Sequence, residues 1–458
     1  MSNLQKGNKY IVTIEDVTHQ GEGVGKIDGF TVFVPQGLPE DKVEIEIISL
    51  KKNYGRGLIK EVLNPSPQRI KPNCPTYHEC GGCNLQHTDY SYQLKLKRKL
   101  VKDALERIGG FNDPIIHHTL TAGDKKYRNK VQSPVGVVDG KTVAGFYKPK
   151  SHEIVPLENC HIQHPKSNQV LDRISKELHH LNIPTYNEKT GKGIVRHIVT
   201  KIGFNTDELM AILVVTKEDF HKKKELVDRI KSLEAVDTLV FNINSKKTNV
   251  VMGTKNLTMF GNGYITEQVS GIEYKISPLS FFQINPKGME ILYGKTLEYA
   301  SLTGKEKVLD AYCGIGSISL FLAQQAKEVL GVEIVPQAIE DAKENAKING
   351  IKNAHFKVGK AEEVIVDQAK KGDKYDVVVV DPPRKGCDEK LLDAIKEISP
   401  HKVVYVSCNP STLARDLKYL CQEKKYELKQ VQPVDMFPHS GHVECVVLMS
   451  RVKVNTMF

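Results

Sequence analysis

The sequence contains no long apolar run, no secretion signal and no internal repeat. None of its hydrophobic stretches approaches the roughly 20 residues that a membrane-spanning helix needs, and the polar segment 1–6 does not resemble a signal peptide. We therefore expect a cytoplasmic protein without a membrane partner. In that compartment its nine cysteines would be reduced, bound to metal or catalytic, because disulfides are rare there.

The distribution of charge indicates the kind of partner. The chain has 458 residues, of which 40% are hydrophobic, and this is enough for about two to four domains. Its formal net charge is +10, and half of that excess falls in residues 71–130, which hold 11 Lys and Arg against 6 Asp and Glu. A basic face of this kind favours a nucleic acid over a mildly basic protein without such a partner. No feature indicates an obligate protein partner.

Residues 1–62 alternate short strand patterns with turns. The strand patterns cover residues 10–15, 31–35, 42–48 and 57–62, and four glycines lie among them, namely Gly21, Gly23, Gly25 and Gly29. Four or five short strands in about 60 residues indicate a small antiparallel barrel, a fold that often binds single-stranded RNA. The segments 21–26 and 32–39 resemble the TRAM domain, an RNA-binding barrel attached to RNA-modifying enzymes. The alternative is that these glycines only form turns.

Three cysteines, Cys74, Cys80 and Cys83, have the spacing C-x5-C-x2-C. Thiols this close together in a reducing compartment are typical of a metal site, because the metal shares the charge of the thiolates. Cys160 is the natural fourth ligand, since the other five cysteines lie in the carboxyl-terminal half. The spacing does not distinguish tetrahedral zinc from an iron–sulfur cluster. Four nearby histidines are possible zinc ligands but are more typical of polar loops, namely His78, His87, His161 and His164.

A basic helix is predicted over residues 90–108. Thr88 or Asp89 can cap it, and Gly109 with Gly110 ends it. Five basic residues crowd its first half and are, as a group, candidates for phosphate contacts: Lys95, Lys97, Arg98, Lys99 and Lys102.

The middle of the chain, within a central domain predicted over residues 63–275, mixes strand and helix patterns. Strands are predicted at residues 131–138, 142–147, 194–203, 210–215 and 238–244, and helices near 166–181 and 218–234. This pattern indicates an α+β domain.

A third domain is predicted over residues 276–458. It contains a strand, a glycine turn at residues 312–317 and a helix, an arrangement in which the backbone can approach a ligand at the helix start. A second strand ends about 20 residues later in Glu333, whose carboxylate can accept hydrogen bonds from ribose hydroxyls. The pair suits a nicotinamide dinucleotide or S-adenosylmethionine, and the Asp-Pro-Pro sequence at 381–383 favours the second.

Three further strand patterns adjoin reactive side chains. One strand ends at Asp381, another delivers Cys408, and Glu444 leads into a third. Open α/β sheets bind their ligands at the carboxyl ends of strands, so an acid, a thiol and a second acid are expected to face one crevice. The alternative for Cys408 is a buried small residue, and that for Glu444 is a surface acid.

Together these motifs resemble the RumA-type RNA (uracil-5-)-methyltransferases over nearly the whole chain. The resemblance rests on the barrel, the four cysteines, the glycine turn and the motifs at 281–285, 381–384, 407–410 and 442–444. It implies S-adenosylmethionine-dependent methylation of uracil C5 in RNA. It also implies a multidomain α/β fold: an OB-like TRAM barrel, a central α+β domain with an iron–sulfur site and a Rossmann-like class I methyltransferase domain.

The resemblance implies a role for each site residue. Cys408 adds to C6 of uracil, which makes C5 nucleophilic enough to take a methyl group. Glu444 then removes the C5 proton, and Asp381 holds the base edge or the cofactor amine. Cofactor contacts are implied for Asp381 and for Gln283, Tyr312, Gly314, Ser317 and Glu333. The ligands implied for a [4Fe-4S] cluster are Cys74, Cys80, Cys83 and Cys160.

The substrate expected from the resemblance is 23S ribosomal RNA. Family members with both barrel and cluster act mainly on that RNA, whereas bacterial transfer-RNA (uracil-5-)-methyltransferases generally lack both. The target uridine would be flipped out of its stack, with the barrel and the basic helix holding its neighbours. Three alternatives stay open: a transfer RNA substrate, a non-catalytic RNA-binding protein or chaperone, and an iron–sulfur redox enzyme acting on RNA.

Overall fold

The amino-terminal barrel is closed in the computed structural model, which describes residues 4–452. Its strands are β1 (Lys9–Val17), β2 (Glu22–Ile27), β3 (Phe30–Pro35), β4 (Lys42–Leu50) and β5 (Tyr54–Asn64). Their order is β1-β2-β3-β5-β4, and the pairing of β1 with β4 closes the barrel. Alternate side chains such as Val12, Val34 and Ile45 face inward and form its core. The predicted small barrel is confirmed, but it is not wholly antiparallel, because β3 and β5 pair in parallel.

The glycines of this barrel do more than form turns. Gly21 and Gly29 have φ angles of 74° and 80°, which are left-handed turn conformations. Gly23 and Gly25 instead lie in β2, where a Cβ atom would approach backbone carbonyl oxygens of neighbouring segments to 2.8 and 2.6 Å. The alternative that all four serve turns alone is therefore wrong, since two of them permit close packing of strands.

One long helix follows the first three cysteines. This helix, α1, is α-helical over Tyr90–Ala104 and continues as a π-helical segment over Leu105–Gly109. The Asp89 side chain caps it by accepting the N–H of Tyr92, and Gly110 ends it in a left-handed conformation with φ of 73°. The predicted helix is confirmed, as are its cap and its end.

The central region folds as a seven-stranded sheet with two helices. The elements after α1 are β6 (Leu120–Thr121), β7 (Lys130–Val138), β8 (Lys141–Tyr147), β9 (Ile154–Pro156), α2 (Pro165–His180), β10 (Val195–Ile202), β11 (Leu209–Val215), α3 (Lys223–Lys231), β12 (Thr238–Ile243) and β13 (Lys255–Phe260). All of these strands except β6 belong to the sheet, in the order β13-β12-β11-β10-β7-β8-β9. The five predicted strands and both helices are confirmed, although α3 is shorter than predicted; β9 and β13 were not predicted.

The middle strands of this sheet are buried on both faces. Every residue of β10 and β11 is buried. On one face Ile198 and Leu213 pack with α2 and α3, and on the other Val199 and Ile212 join the core of the carboxyl-terminal region. The unbroken apolar sequence of β11 follows from this double burial.

The carboxyl-terminal region contains a mostly parallel sheet flanked by helices. Its elements are β14 (Ile265–Val269), β15 (Ile272–Ile276), α4 (Pro286–Ala300), β16 (Lys307–Ala311), α5 (Ser317–Ala323), β17 (Glu328–Glu333), α6 (Pro336–Ile348), β18 (Ala354–Val358), α7 (Ala361–Lys370), β19 (Val377–Val380), α8 (Glu389–Ile398), β20 (Lys402–Ser407), α9 (Pro410–Cys421), a 3-10 turn (Gln422–Lys424), β21 (Tyr426–Asp435) and β22 (Glu444–Arg451). The sheet order is β18-β17-β16-β19-β20-β22-β21-β6. The first five strands in that order are parallel, and β22 runs antiparallel to both of its neighbours.

Two segments that precede the predicted division at residue 275 belong with the carboxyl-terminal region. The short strand β6 pairs with β21 at the edge of the carboxyl-terminal sheet. The β14–β15 hairpin precedes residue 276 for most of its length, yet Ile265 and Tyr274 pack in the carboxyl-terminal core. The division into three domains stays a prediction. None of the helices formed by residues 4–452 combines the length and apolar composition that a bilayer-spanning helix requires.

Candidate active site

Several strand ends meet at one edge of the carboxyl-terminal sheet. The parallel strands β16, β19 and β20 are neighbours, so their carboxyl ends lie together. Strand β22 runs antiparallel to β20 with Cys445 opposite Ser407, so β22 begins at the same edge. Asp381, Cys408 and Glu444 are therefore brought together, as the positions of the strand patterns predicted.

A cavity of about 640 Å³ lies at this edge. That volume is within the range of sites for small molecules and cofactors, about 300–1,000 Å³. Its walls include all eight residues predicted for catalysis or cofactor binding: Gln283, Tyr312, Gly314, Ser317, Glu333, Asp381, Cys408 and Glu444. Their proximity agrees with a single site, while the role of each stays a prediction.

The glycine turn shapes one wall of this cavity. Tyr312, Gly314 and Gly316 have left-handed φ angles of 67°, 56° and 81°. The N–H of Gly314 donates to one carboxylate oxygen of Glu333 at 3.3 Å, and the N–H of Val335 donates to the other at 3.0 Å. These two hydrogen bonds connect the glycine turn to the end of β17 and fix the orientation of the Glu333 carboxylate.

Two residues beside the turn were not predicted to belong to the site. Tyr293 lines the cavity, and its hydroxyl lies 3.1 Å from the Ser317 hydroxyl. Asp310 is buried beneath the turn, where burial raises its carboxyl pKa to about 7 although Ser319 donates a hydrogen bond to it. In the sequence, Asp310 is distinguished as an acid among the apolar residues of β16.

The thiol of Cys408 is mainly protonated in the free protein. Burial, which is the largest cause, and the nearby Glu444 and Asp381 carboxyl groups together raise the pKa of this thiol to about 11. The Arg384 guanidinium lowers it. Helix α9 begins at Pro410, so its positive end also favours a thiolate at this position.

The two acids differ in their protonation. Burial raises the pKa of Glu444 well above its usual value, the charge of Asp381 raises it further, and Arg384 lowers it. Burial raises the pKa of Asp381 to about 6. At neutral pH Asp381 is therefore mainly ionised, while Glu444 has a higher affinity for a proton than an ordinary glutamate.

Arg384 and His442 stand beside the thiol, and neither was assigned a role from the sequence. The Arg384 Nη2 atom lies 3.5 Å from Nε2 of His442. Asn409 and Thr412 both donate side-chain hydrogen bonds to the carbonyl oxygen of Arg384, at 3.0 and 3.3 Å. The sequence signal for Arg384 was a lone cation after two prolines at a strand end. These bonds tie the segment after Asp381 to the start of α9.

A second cavity, of about 430 Å³, reaches the same thiol. It lies between residues 16–20 of the barrel, the end of α1 near Arg107 and the segments that carry Cys408 and His442. Cys408, Arg384 and His442 line both cavities. The two cavities therefore adjoin at the thiol.

The four predicted cysteine ligands line one small cavity. Cys74, Cys80, Cys83 and Cys160 surround about 120 Å³ of space together with apolar side chains such as Phe146. Burial, which is the largest cause, and the other three thiols together raise the pKa of Cys83 to about 12. Among residues 4–452, no three His, Cys, Asp or Glu side chains are grouped as ligands of a single metal ion.

The basic face of α1 is smaller than the sequence indicated. Lys97, predicted among the phosphate contacts, has no exposed surface and forms an ion pair with Asp435. Lys99 pairs with Asp16 and Asp103. The prediction for Lys97 is wrong, because the position lies on the buried side of the helix and its charge is neutralised there.

Two family models match the chain. The model of the tRNA (Uracil-5-)-methyltransferases matches residues 196–452, and that of the TRAM domain matches residues 3–60. An uncharacterized RNA methyltransferase of Halalkalibacterium halodurans is 46% identical over 448 residues, which are 97% of this chain and 98% of that protein. An uncharacterized RNA methyltransferase of Caldanaerobacter subterraneus subsp. tengcongensis is 47% identical over 453 residues, which are 99% and 100% of the two chains.

A solved structure is similar over nearly the whole length. It is the crystal structure of Pyrococcus abyssi tRNA (uracil-54, C5)-methyltransferase in complex with S-adenosyl-L-homocysteine. The two chains are 28% identical with a TM-score of 0.77, and the match covers 96% of this chain and 100% of that one. The chain belongs to the RNA (uracil-5-)-methyltransferases, a family of S-adenosylmethionine-dependent enzymes, and carries a TRAM domain at its amino terminus.

Proposed function

We propose that this protein methylates C5 of one or two uridines in 23S ribosomal RNA through a covalent bond between Cys408 and C6 of the base. The observation that carries this proposal is the shared cavity, in which a thiol and two acids lie beside all of the predicted cofactor residues. Uracil C5 is a poor nucleophile, so a thiol that adds to C6 is the chemistry that the reaction requires.

The cavity fits S-adenosylmethionine by size and by its polar groups. Glu333 can accept hydrogen bonds from ribose hydroxyls, while Gly314 and Ser317 lie in the turn that opens α5. Gln283, Tyr312 and Asp381 complete the proposed contacts. When bound, S-adenosylmethionine supplies an electrophilic methyl group. The protein's part is to orient that group toward the thiol-bound base and to keep water away.

Cys408 begins the proposed reaction by adding its sulfur to C6. Addition requires the thiolate, and burial alone disfavours it. Arg384 and the start of α9 act in the opposite direction. These positive groups stabilise the thiolate of Cys408, whereas the carboxyl groups of Glu444 and Asp381 destabilise it.

Glu444 ends the proposed reaction by removing the proton at C5. A carboxylate whose pKa is raised is a stronger base than an ordinary one, and burial raises the pKa of Glu444. Once the C5 proton has gone, the C5–C6 double bond returns and the sulfur of Cys408 leaves. Asp381, mainly ionised at neutral pH, is proposed to hold the base edge or the cofactor amine.

The second cavity is the proposed route for the RNA. It adjoins the cofactor cavity at Cys408, and residues 16–20 of the barrel and Arg107 of α1 line it. A base must leave its stack to reach a half-buried thiol at the bottom of a cavity, so the target uridine is proposed to be flipped into this space. The barrel and the exposed cations of α1 would then bind flanking nucleotides.

A [4Fe-4S] cluster is the proposed occupant of the four-cysteine cavity. Four thiolates could hold either a zinc ion or a [4Fe-4S] cluster. The four cysteines line one cavity together with apolar side chains such as Phe146. The cluster is proposed over zinc because the chain resembles the RumA-type enzymes. Its proposed role is to fold the segment between the barrel and α1.

A transfer RNA substrate is the second candidate, and one observation favours it. The Pyrococcus abyssi enzyme acts on tRNA, and its structure matches 96% of this chain, a span that includes the barrel. A barrel joined to a methyltransferase domain is therefore compatible with either RNA. The choice of 23S ribosomal RNA rests on family architecture alone.

The test is methyl transfer from labelled S-adenosylmethionine into unmodified transcripts of 23S ribosomal RNA and of transfer RNA. The protein is purified without oxygen, and Cys408→Ala is the control. Label in 5-methyluridine of the ribosomal transcript alone, lost in Cys408→Ala, is the expected result. Label in the transfer RNA instead would overturn the substrate. No label in either transcript, with RNA binding retained, would favour the non-catalytic RNA-binding alternative.

A further inference from the structure

The loop before Glu444 is held from outside the carboxyl-terminal sheet. It spans residues 436–443 between β21 and β22 and carries His439 in a left-handed conformation with φ of 65°. Such a conformation is costly for a residue other than glycine, so its surroundings must maintain it. The contacts that do so come from residues 73–85, which carry Cys74, Cys80 and Cys83 and are called the cysteine segment below, and from α1.

Asn84, the residue after Cys83, forms hydrogen bonds both to this loop and to the barrel. Its side-chain oxygen accepts the N–H of Gly441 at 3.0 Å, and its side-chain amide donates to the carbonyl oxygen of Gln20 in the barrel. Its backbone N–H donates to the carbonyl oxygen of His439 at 3.0 Å. One residue thus joins the barrel, the cysteine segment and the loop that leads into the active site.

Two glycines make room for this junction. A Cβ atom on Gly21 would lie 2.9 Å from the Asn84 side chain. A Cβ atom on Gly441 would lie 2.7 Å from the carbonyl oxygen of His19. Glycine at positions 21 and 441 therefore allows the barrel, the cysteine segment and the loop before Glu444 to approach one another closely. Neither cofactor binding nor the barrel core requires this close approach.

Gln93 and Lys97 of α1 hold the same loop nearby. The side-chain oxygen of Gln93 accepts the N–H of His439 at 3.1 Å. The Lys97 ammonium donates to the carbonyl oxygen of Phe437 at 3.0 Å. These contacts fix the first half of the loop, whereas Asn84 fixes Gly441, three residues before Glu444.

We infer that Asn84 is a positioning residue that orients Glu444 toward the C5 proton. Through Asn84, the cysteine segment and the barrel set the geometry of the last chemical step. This inference rests on the proposed function. In that step the C5–H bond breaks, its electron pair forms the C5–C6 double bond, the proton passes to Glu444, and the S–C6 bond breaks to release the Cys408 thiolate. A displaced Glu444 slows this step and leaves the earlier addition of sulfur intact.

The experiment separates the two steps with 5-fluorouridine. Fluorine at C5 leaves no proton to remove, so the methylated adduct with Cys408 persists and its formation measures addition and methyl transfer alone. Transcripts of 23S ribosomal RNA and of transfer RNA, each with uridine or with 5-fluorouridine, are the probes. The variants are Asn84→Ala, which loses both side-chain bonds, and Asn84→Asp, which keeps the acceptor for Gly441. Asn73→Ala, an exposed residue of the same segment, is the matched control.

For Asn84→Ala we expect turnover on ordinary RNA to fall about tenfold, the effect of one hydrogen bond, with adduct formation changed less than twofold. Asn84→Asp should retain turnover within threefold, and Asn73→Ala should match the unchanged protein. An equal fall of turnover and adduct formation in Asn84→Ala, or no fall in either, overturns the inference. If the unchanged protein forms no adduct with either fluorinated transcript, the covalent mechanism fails and the inference fails with it.

Discussion

The buried ion pair between Lys97 and Asp435 gives the most direct test of how the chain's distant segments are joined. The two residues are separated by 338 positions, and neither side chain has exposed surface. Asp435 also accepts the hydroxyl of Tyr90 at 2.8 Å and the N–H of Phe437 at 3.2 Å. Substitution of Lys97 by Met keeps most of the side-chain volume but leaves the Asp435 carboxylate buried without its cation.

We expect Lys97→Met to cost about 3–5 kcal/mol of folding stability, the usual cost of removing one partner from a buried pair. For a domain of about 200 residues this corresponds to a loss of roughly 10 °C in Tm. Lys95→Met is the matched control, because Lys95 is exposed on the same helix. In the double variant Lys97→Met/Asp435→Asn, Asn removes the buried charge and its one acceptor oxygen can still serve the N–H of Phe437. The Tyr90 hydroxyl, which also lies 2.5 Å from the Thr121 hydroxyl, can accept from the Asn amide instead, so more than half of the lost Tm should return.

The assay is thermal unfolding followed by circular dichroism at one protein concentration and one salt concentration. Equal Tm values for Lys97→Met and Lys95→Met would refute the view that this pair fastens α1 to the carboxyl-terminal region. Failure of Asp435→Asn to restore stability would instead locate the damage in packing around the missing lysine stem.

Three further outcomes follow from the site. Between pH 7 and 9, kcat/KM should rise about tenfold per pH unit, because the thiol of Cys408 has a pKa of about 11 and Asp381, with a pKa of about 6, is already ionised; a flat profile would contradict thiolate addition. Arg384→Ala should raise the pKa of that thiol and slow adduct formation about tenfold at both pH 7.5 and pH 9, because both pH values lie below the pKa of about 11, while the rate of the variant still rises with pH; an unchanged rate of adduct formation in the variant would rule this role out. Gly331→Ala should lower stability by about 1–3 kcal/mol, since its Cβ would lie within 2.9 Å of three side-chain atoms, whereas Gly294→Ala, with open space in α4, should raise Tm slightly.

Local patterns in the sequence were enough to find the elements that carry the site. The cap at Asp89, the end at Gly110 and the strand that precedes Cys408 all depend on a few neighbouring residues, so they can be recognised from the sequence alone. The gathering of Asp381, Cys408 and Glu444 was predictable for a related reason, since strands in one sheet bring their ends to a common edge.

The tertiary structure decided which polar residues are buried and which distant segments their hydrogen bonds and ion pairs connect. Lys97 lies within a basic run, Lys95 to Lys99, which indicates an exposed face, yet the residue is buried, because helical periodicity does not say which neighbour will cover each face. Asn84 and Gly441 are 357 positions apart, and no local pattern relates them. Short strands such as β6 gain their order from pairing with a distant edge. The sequence by itself determined the elements and the chemistry at their ends, whereas long-range packing determined how the barrel, the cysteine segment and α1 hold that chemistry in place.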